Sequence, residues 1–109
     1  MENIRQLDKR FVIEENQPER DTGGGYIDNW QEIDRIWGGR KQANGRAVYI
    51  AQQHGYEVDH ILTIRSRTLT NNMRFKEGER IFNIEYIREL DGGRFLQVYC
   101  TEGPKNGES

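Results

Sequence analysis

Apolar and polar residues alternate along most of this chain, and alternation at a period of two marks half-buried strands. Lys9–Glu15 (KRFVIEE) places Phe11 and Ile13 on one face and Arg10, Val12 and Glu14 on the other. Asn16–Tyr26 interrupts the pattern with Pro18 and Gly23–Gly24–Gly25, which reads as a flexible hairpin tip. A long strand over Ile27–Lys41 follows, carrying Trp30, Ile33, Ile36 and Trp37, with Gly38–Gly39 marking a bulge or bend. The spacing of Ile33, Ile36 and Trp37 also fits a helix; the glycines and poor helix formers around them favour strand.

His60–Arg67 (HILTIRSR) predicts a strand with Leu62 and Ile64 inward and Ile61, Thr63 and Arg65 outward. Thr70–Glu79, with Met73, Phe75 and the turn Glu77–Gly78–Glu79, reads as a polar connection. Arg80–Leu90 then alternates Phe82, Ile84 and Tyr86 on one face. Asp91–Gly92–Gly93 turns the chain, and Arg94–Thr101 returns with Leu96, Val98 and Cys100 together. A D-G-G turn between two alternating runs is a strong hairpin signal.

One segment breaks the strand rhythm. Asn44–Gly55 (NGRAVYIAQQHG) opens on a candidate Asn cap, closes on Gly, and holds Ala47, Val48, Ile50 and Ala51 between them. It predicts one or two turns of helix, too short to be stable alone. The sum is a mainly β chain: a small antiparallel β-barrel or sandwich of five to six strands with a loop or short-helix insertion. Parallel βαβ units are excluded because crossover helices are lacking.

Composition narrows the picture. The chain has 109 residues, the size of one domain. Its hydrophobic fraction is 34%. With glycines counted and tyrosines left out, it still falls below the roughly 45–50% of an average domain. A thin core suits a subunit that completes its packing on neighbours. Sixteen basic residues face 18 acidic ones, for a net charge of −2. A free-standing duplex binder usually carries a basic excess, which is lacking here. The basic residues are mostly Arg, which suits protein interfaces; an ordinary compositional bias accounts for that equally well. With Cys100 the only cysteine, neither a disulfide framework nor a thiol metal site is expected. No apolar run reaches the ~18–20 residues needed to span a bilayer, and no signal peptide is visible, so the expected compartment is a reducing cytoplasm.

Catalytic and ligand-binding patterns find little purchase. His54 and His60, with Glu57 and Asp59 between them, lack a zinc spacing such as HExxH and read as a polar loop entering a strand. Gly23–Gly25 lacks the following helix and lysine of a phosphate loop. No GxSxG is present, and Cys100 sits on an apolar strand face, where cysteine behaves as a small inert hydrophobe. Aromatic and Arg residues adjoin at Trp37–Arg40, Arg74–Phe75 and Arg94–Phe95; they fit stacking on single-stranded bases, or core aromatics beside surface Arg. The residues therefore point to a protein that binds other macromolecules, with no enzyme activity, cofactor or metal.

Read in order, these pieces resemble the head-tail joining family of tailed bacteriophages, also called head closure or head completion proteins. The similarity runs over about residues 7–102. It comprises Leu7 with Arg10–Phe11–Val12–Ile13, the glycine tip before Trp30, Ile36–Trp37–Gly38, Ala51–Gln52–Gln53, His60–Ile61–Leu62–Thr63–Ile64–Arg65, Met73–Arg74–Phe75, Gly78 with Arg80–Ile81–Phe82–Asn83–Ile84, and the final hairpin. The stretch AQQ…HILTIRSR carries the most weight. Where this chain has Gly38–Gly39, the family usually has a small Ala-like residue, and the insertion is its most variable part.

The resemblance implies one head-tail joining barrel domain over residues 7–102, a mobile insertion over residues 43–58, and flexible termini at 1–6 and 103–109. It implies a structural connector that forms a ring of identical subunits, taken as twelve-fold; because no large exposed apolar stripe is evident in the sequence, the isolated chain is expected to be a monomer. That ring lies under the portal and its adaptor, closes the DNA-filled head and docks the tail through a tail terminator or tail tube protein. Genomic DNA in the channel is met without sequence specificity, and no membrane is involved. The insertion faces the channel as a gate, with Tyr49, Gln52, Gln53, His54 and Tyr56 nearest DNA or neighbouring loops. Arg65, Arg67 and Arg74 are the expected subunit contacts. The protein is expected at the head-tail interface of the virion after synthesis in the host cytoplasm. The alternatives are a nucleic-acid-binding barrel and a tail completion protein of similar fold.

Overall fold

Phe11 and Ile13 are fully buried on the first strand, β1 (Lys9–Asn16), as their alternation predicts. The computed structural model describes residues 7–103; the expected flexible termini at 1–6 and 103–109 lie outside the described residues except for Gly103, whose amide bonds the Ile81 carbonyl. After β1 come a short hairpin of β2 (Glu19–Arg20) and β3 (Tyr26–Ile27), the long β4 (Trp30–Gln42), helix α1 (Gly45–Gln53) and β5 (His60–Arg65). Then follow β6 (Met73–Glu77), β7 (Arg80–Leu90), one 3-10 turn at Asp91–Gly93, and β8 (Phe95–Glu102). Six strands close an antiparallel barrel in the order β1-β4-β5-β8-β7-β6. β1 is the seam: it pairs with β4 along one edge and with β6 along the other. Closure is the β architecture that leaves no continuous open edge.

The barrel interior is a solid core. Phe11 meets Phe75 and Phe82 edge to face, with ring centroids 6.1 and 6.3 Å apart, a favourable arrangement of aromatic quadrupoles. Leu62, Ile64, Val98 and Cys100 complete it with no exposed surface. Burial pushes the Cys100 thiol well above its ordinary range and keeps it protonated and inert. His60 shares that inward face at one end of the barrel, 5.3 Å from Phe82 and 2.9 Å from the Asp59 carboxylate. Beside it, Arg80 grips Glu102 through two hydrogen bonds of 2.7 and 2.9 Å.

Several expectations need correction. The connection over Thr70–Glu79 contains a barrel strand: Met73 and Phe75 enter the core from β6 while Lys76 points out. Five residues suffice because β6 lies between β1 and β7 and pairs with both. The irregularity in β4 is not at Gly38–Gly39, where pairing with β5 runs on without a shift. It falls at Ile33, the extra residue where Ile13 faces Asp34 and Glu14 faces Glu32. Gly38 serves close approach instead. A Cβ there would lie 2.9 Å from the Thr63 carbonyl oxygen and 3.0 Å from Ile64 and Phe11.

A second bulge, at Glu85, matters most. Ile84 pairs with Cys100, yet Tyr86 pairs with Tyr99. An extra residue in one strand reverses which face the following side chains occupy. Tyr86 therefore leaves the inward face of Phe82 and Ile84 and joins the outer surface. The aromatic–Arg neighbours also resolve: Phe75 is core, while Trp37 is exposed with the Arg10 guanidinium 4.9 Å from its ring.

Two outcomes test this packing. Gly38→Ala should cost about 1–3 kcal/mol by overpacking against backbone, read as a lower urea midpoint; an unchanged midpoint would contradict the close approach. The Arg80 hydrogen bonds hold the Glu102 carboxyl below its ordinary value. Its stabilisation is thus present above the ordinary carboxylate pKa and lost as pH falls through the lowered one. Glu102→Gln should flatten the acid side of a stability–pH curve while wild type keeps its slope.

Candidate assembly surface

Everything chemically distinctive lies outside the barrel. α1 begins where the Asn44 side chain accepts a hydrogen bond from the Ala47 amide at 2.8 Å, the N-cap the sequence suggests. It ends at His54, whose amide bonds back to the Ala51 carbonyl, and Gly55 follows at φ +82°, a left-handed turn that favours glycine. Nine residues make about two and a half turns, slightly longer than expected.

Ala47 and Ala51 turn toward the barrel and pack with Val58, Ile61, Tyr86 and Tyr99. Small side chains let the helix sit close on the sheet. Beside this contact runs an aromatic ladder: Tyr86 stacks on Tyr99 at 4.3 Å with rings 6° apart, and Tyr56 leans on Tyr86 at 5.1 Å. Burial pushes the Tyr86 phenol above its ordinary pKa, with Tyr99 adding to the shift and Arg88 opposing it.

The expected gate residues are brought together on this insertion. Tyr49 is 61% exposed and its hydroxyl accepts a 2.8 Å hydrogen bond from Gln53. Gln52 and His54 face solvent, whereas Tyr56 belongs partly to the ladder. The three arginines stand elsewhere and apart. Arg65 is exposed at the end of β5 with its guanidinium 5.7 Å from the Phe95 ring. Arg67, in the loop beyond, pairs with Asp34. Arg74 is buried on β6, bonded to Glu14 at 2.8 Å and seated 4.0 Å above the Trp30 ring.

Sequence reasoning missed a groove beside α1. Two clefts, of about 340 and 410 Å³, share Ile50, Tyr86 and Arg88 as a common wall. The first also takes in Lys41 and Arg46, the second Tyr56 and His54. The bulge at Glu85 hides Tyr86 and Arg88 from any reading by alternation. The apolar pair Tyr26–Ile27, 71% and 55% exposed beside the glycine tip, was a readable signal. Among the described residues no three His, Cys, Asp or Glu side chains converge as a metal site, and no helix is long and apolar enough to cross a membrane.

The family model for phage head completion proteins matches residues 3–103, nearly the whole chain. This chain belongs to the phage head completion protein family. The barrel is similar to the solution structure of protein SF1141 from Shigella flexneri 2a: TM-score 0.76, 20% identity, 96% of this chain and 100% of that one covered. It is also similar to a chain in the virion of a native gene transfer agent particle, with TM-score 0.61, 24% identity, and 87% and 93% covered. At such identities these likenesses concern the fold alone. No curated protein matches the sequence. A head completion protein is a structural virion component, and its surface must be read as a surface for assembly.

The helix cap gives a local test. Asn44→Ala should cost about 1 kcal/mol and raise amide hydrogen exchange across residues 45–53 while the barrel strands keep their protection. Equal protection in both proteins would show that the cap does not hold the insertion.

Proposed function

We propose that this head completion protein is a head-tail connector: a ring of identical subunits, twelve in number, that sits under the portal and adaptor of a tailed phage or prophage. It closes the DNA-filled head and offers the surface on which a tail terminator or tail tube protein docks. The observation that carries this reading is the family match across residues 3–103 of a closed barrel. With the barrel interior filled by side chains, a DNA channel would have to pass between subunits.

In this reading the whole domain, residues 7–102, is the ring unit, and the insertion over residues 43–58 faces the channel and moves as a unit. Three alanines and Val58 supply much of its apolar contact with the barrel, a small area to break. At 100° per residue, Tyr49 lies opposite the Ala47–Ala51 stripe with Gln52 and Gln53 to either side, and these would face the channel with uncharged polar groups. Such a lining, like the overall charge of −2, passes DNA without gripping its phosphates. Arg65, exposed at the end of β5, is the arginine best placed for a subunit contact. The isolated chain is a monomer in dilute solution, made in the host cytoplasm and incorporated at the head-tail interface.

A gene knock-out examined by electron microscopy tests the role. Particles lacking the protein should lose packaged DNA and accumulate beside free tails. Knock-out particles that keep their DNA and carry joined tails would overturn it.

A further inference from the structure

The two ends of β4 carry unlike surfaces. Before it stands the β2–β3 hairpin, with Tyr26 and Ile27 exposed and carboxylates at Glu19, Asp21 and Asp28 against one arginine, Arg20. These carboxylates accept hydrogen bonds from neutral donors: Glu19 from the Asn29 side chain, Asp28 from the Asn16 side chain, Asp21 from the Gly23 and Gly25 amides. Cross-strand pairing puts Ile27 on the face of Glu19 and Tyr26 on the face of Arg20, so the Ile27 face of the hairpin is the apolar and acidic one. Beyond the far end lies the groove beside α1. Its wall of Ile50 and Tyr86 is bordered by Lys41, Arg46 and Arg88, and no acidic residue lines either cleft among the described residues. Apolar matches apolar, and the charges are opposite.

Distance decides how the two can meet. Thirteen residues of β4 at about 3.3 Å each separate hairpin from groove, on a molecule whose longest dimension is 52 Å. The hairpin cannot fold back into its own groove, so the match can be made only between copies. A contact between different patches on identical chains is heterologous, the kind that closes into a ring when the rotation permits.

We propose that the β2–β3 hairpin of one copy seats Ile27 in the α1–β7 groove of the next, with Glu19 and the flanking Asp28 against Arg46 and Arg88. The inference rests on the ring reading above and names its interface. Opposite charges would guide the approach and fix the orientation, while Ile27 supplies buried area.

The test uses particles from the knock-out complemented with Ile27→Cys/Ile50→Cys protein, oxidised and run without reductant. Both positions are exposed, and Cys100 is buried and inert. A ladder of covalent multimers from the double variant, and none beyond dimers from either single variant, is the expected result. No ladder from particles that contain the variant and hold their DNA overturns the interface and leaves the head-closing role intact. Absence of even the wild-type chain from particles overturns both. If the double variant alone is excluded, charge reversal decides. Arg46→Glu/Arg88→Glu should lower uptake into particles by about tenfold or more, and adding Glu19→Lys/Asp28→Lys to the same chain should restore it. Failure to restore uptake overturns the interface.

Discussion

The packing of Phe11 against Phe75 and Phe82 is the constraint on which the rest of the structure depends. It joins β1 to β6 and β7 across the interior, and β1 is the strand whose two edges close the barrel. Once that interior is filled, nothing can pass through a subunit and no ligand can be held inside it. The chemistry is displaced to what stands outside: the insertion, the hairpin before β4 and the charged strand faces. A modest apolar content suffices for a core of this size and leaves Tyr26, Ile27, Tyr49 and Ile50 exposed.

Two bulges shape that exterior. At Ile33 the extra residue bends β4 beside the hairpin end; at Glu85 it turns β7 over so that Tyr86 leaves the core and meets Tyr99. Without the second, the ladder Tyr56–Tyr86–Tyr99 would not form and α1 would lose a wall of its seat. Arg88 shares the outward face with Tyr86 for the same reason, so one residue inserted in a strand creates both the apolar and the basic side of the groove.

Much of this was legible in the sequence. The strands of Phe11 and Ile13, of Leu62 and Ile64, and of Leu96 and Val98 follow from alternation, and the helix follows from Asn44 and Gly55 bracketing Ala47–Ala51. β6 was obscured because polar residues flank a five-residue strand on both sides. The face of Tyr86 was unreadable because a bulge leaves no mark in a pattern of period two. Gly38 carried a true signal with the wrong cause: crowding by the Thr63 carbonyl, not a bend. Of the expected gate residues, sequence placed Tyr49, Gln52, Gln53 and His54 on one insertion, but Tyr56 belongs as much to the ladder. Arg74 shows the limit of reading charge alone, since its guanidinium is spent on Glu14 and Trp30 within the chain.

The most direct measurement is a cryo-electron microscopy reconstruction of the virion's portal-to-tail region. It should resolve a ring of these barrels below the portal, with α1 toward the central channel and each β2–β3 hairpin lying on its neighbour's α1–β7 groove. A reconstruction in which density for this chain is missing from that region, or appears as isolated subunits without a ring, would contradict the account.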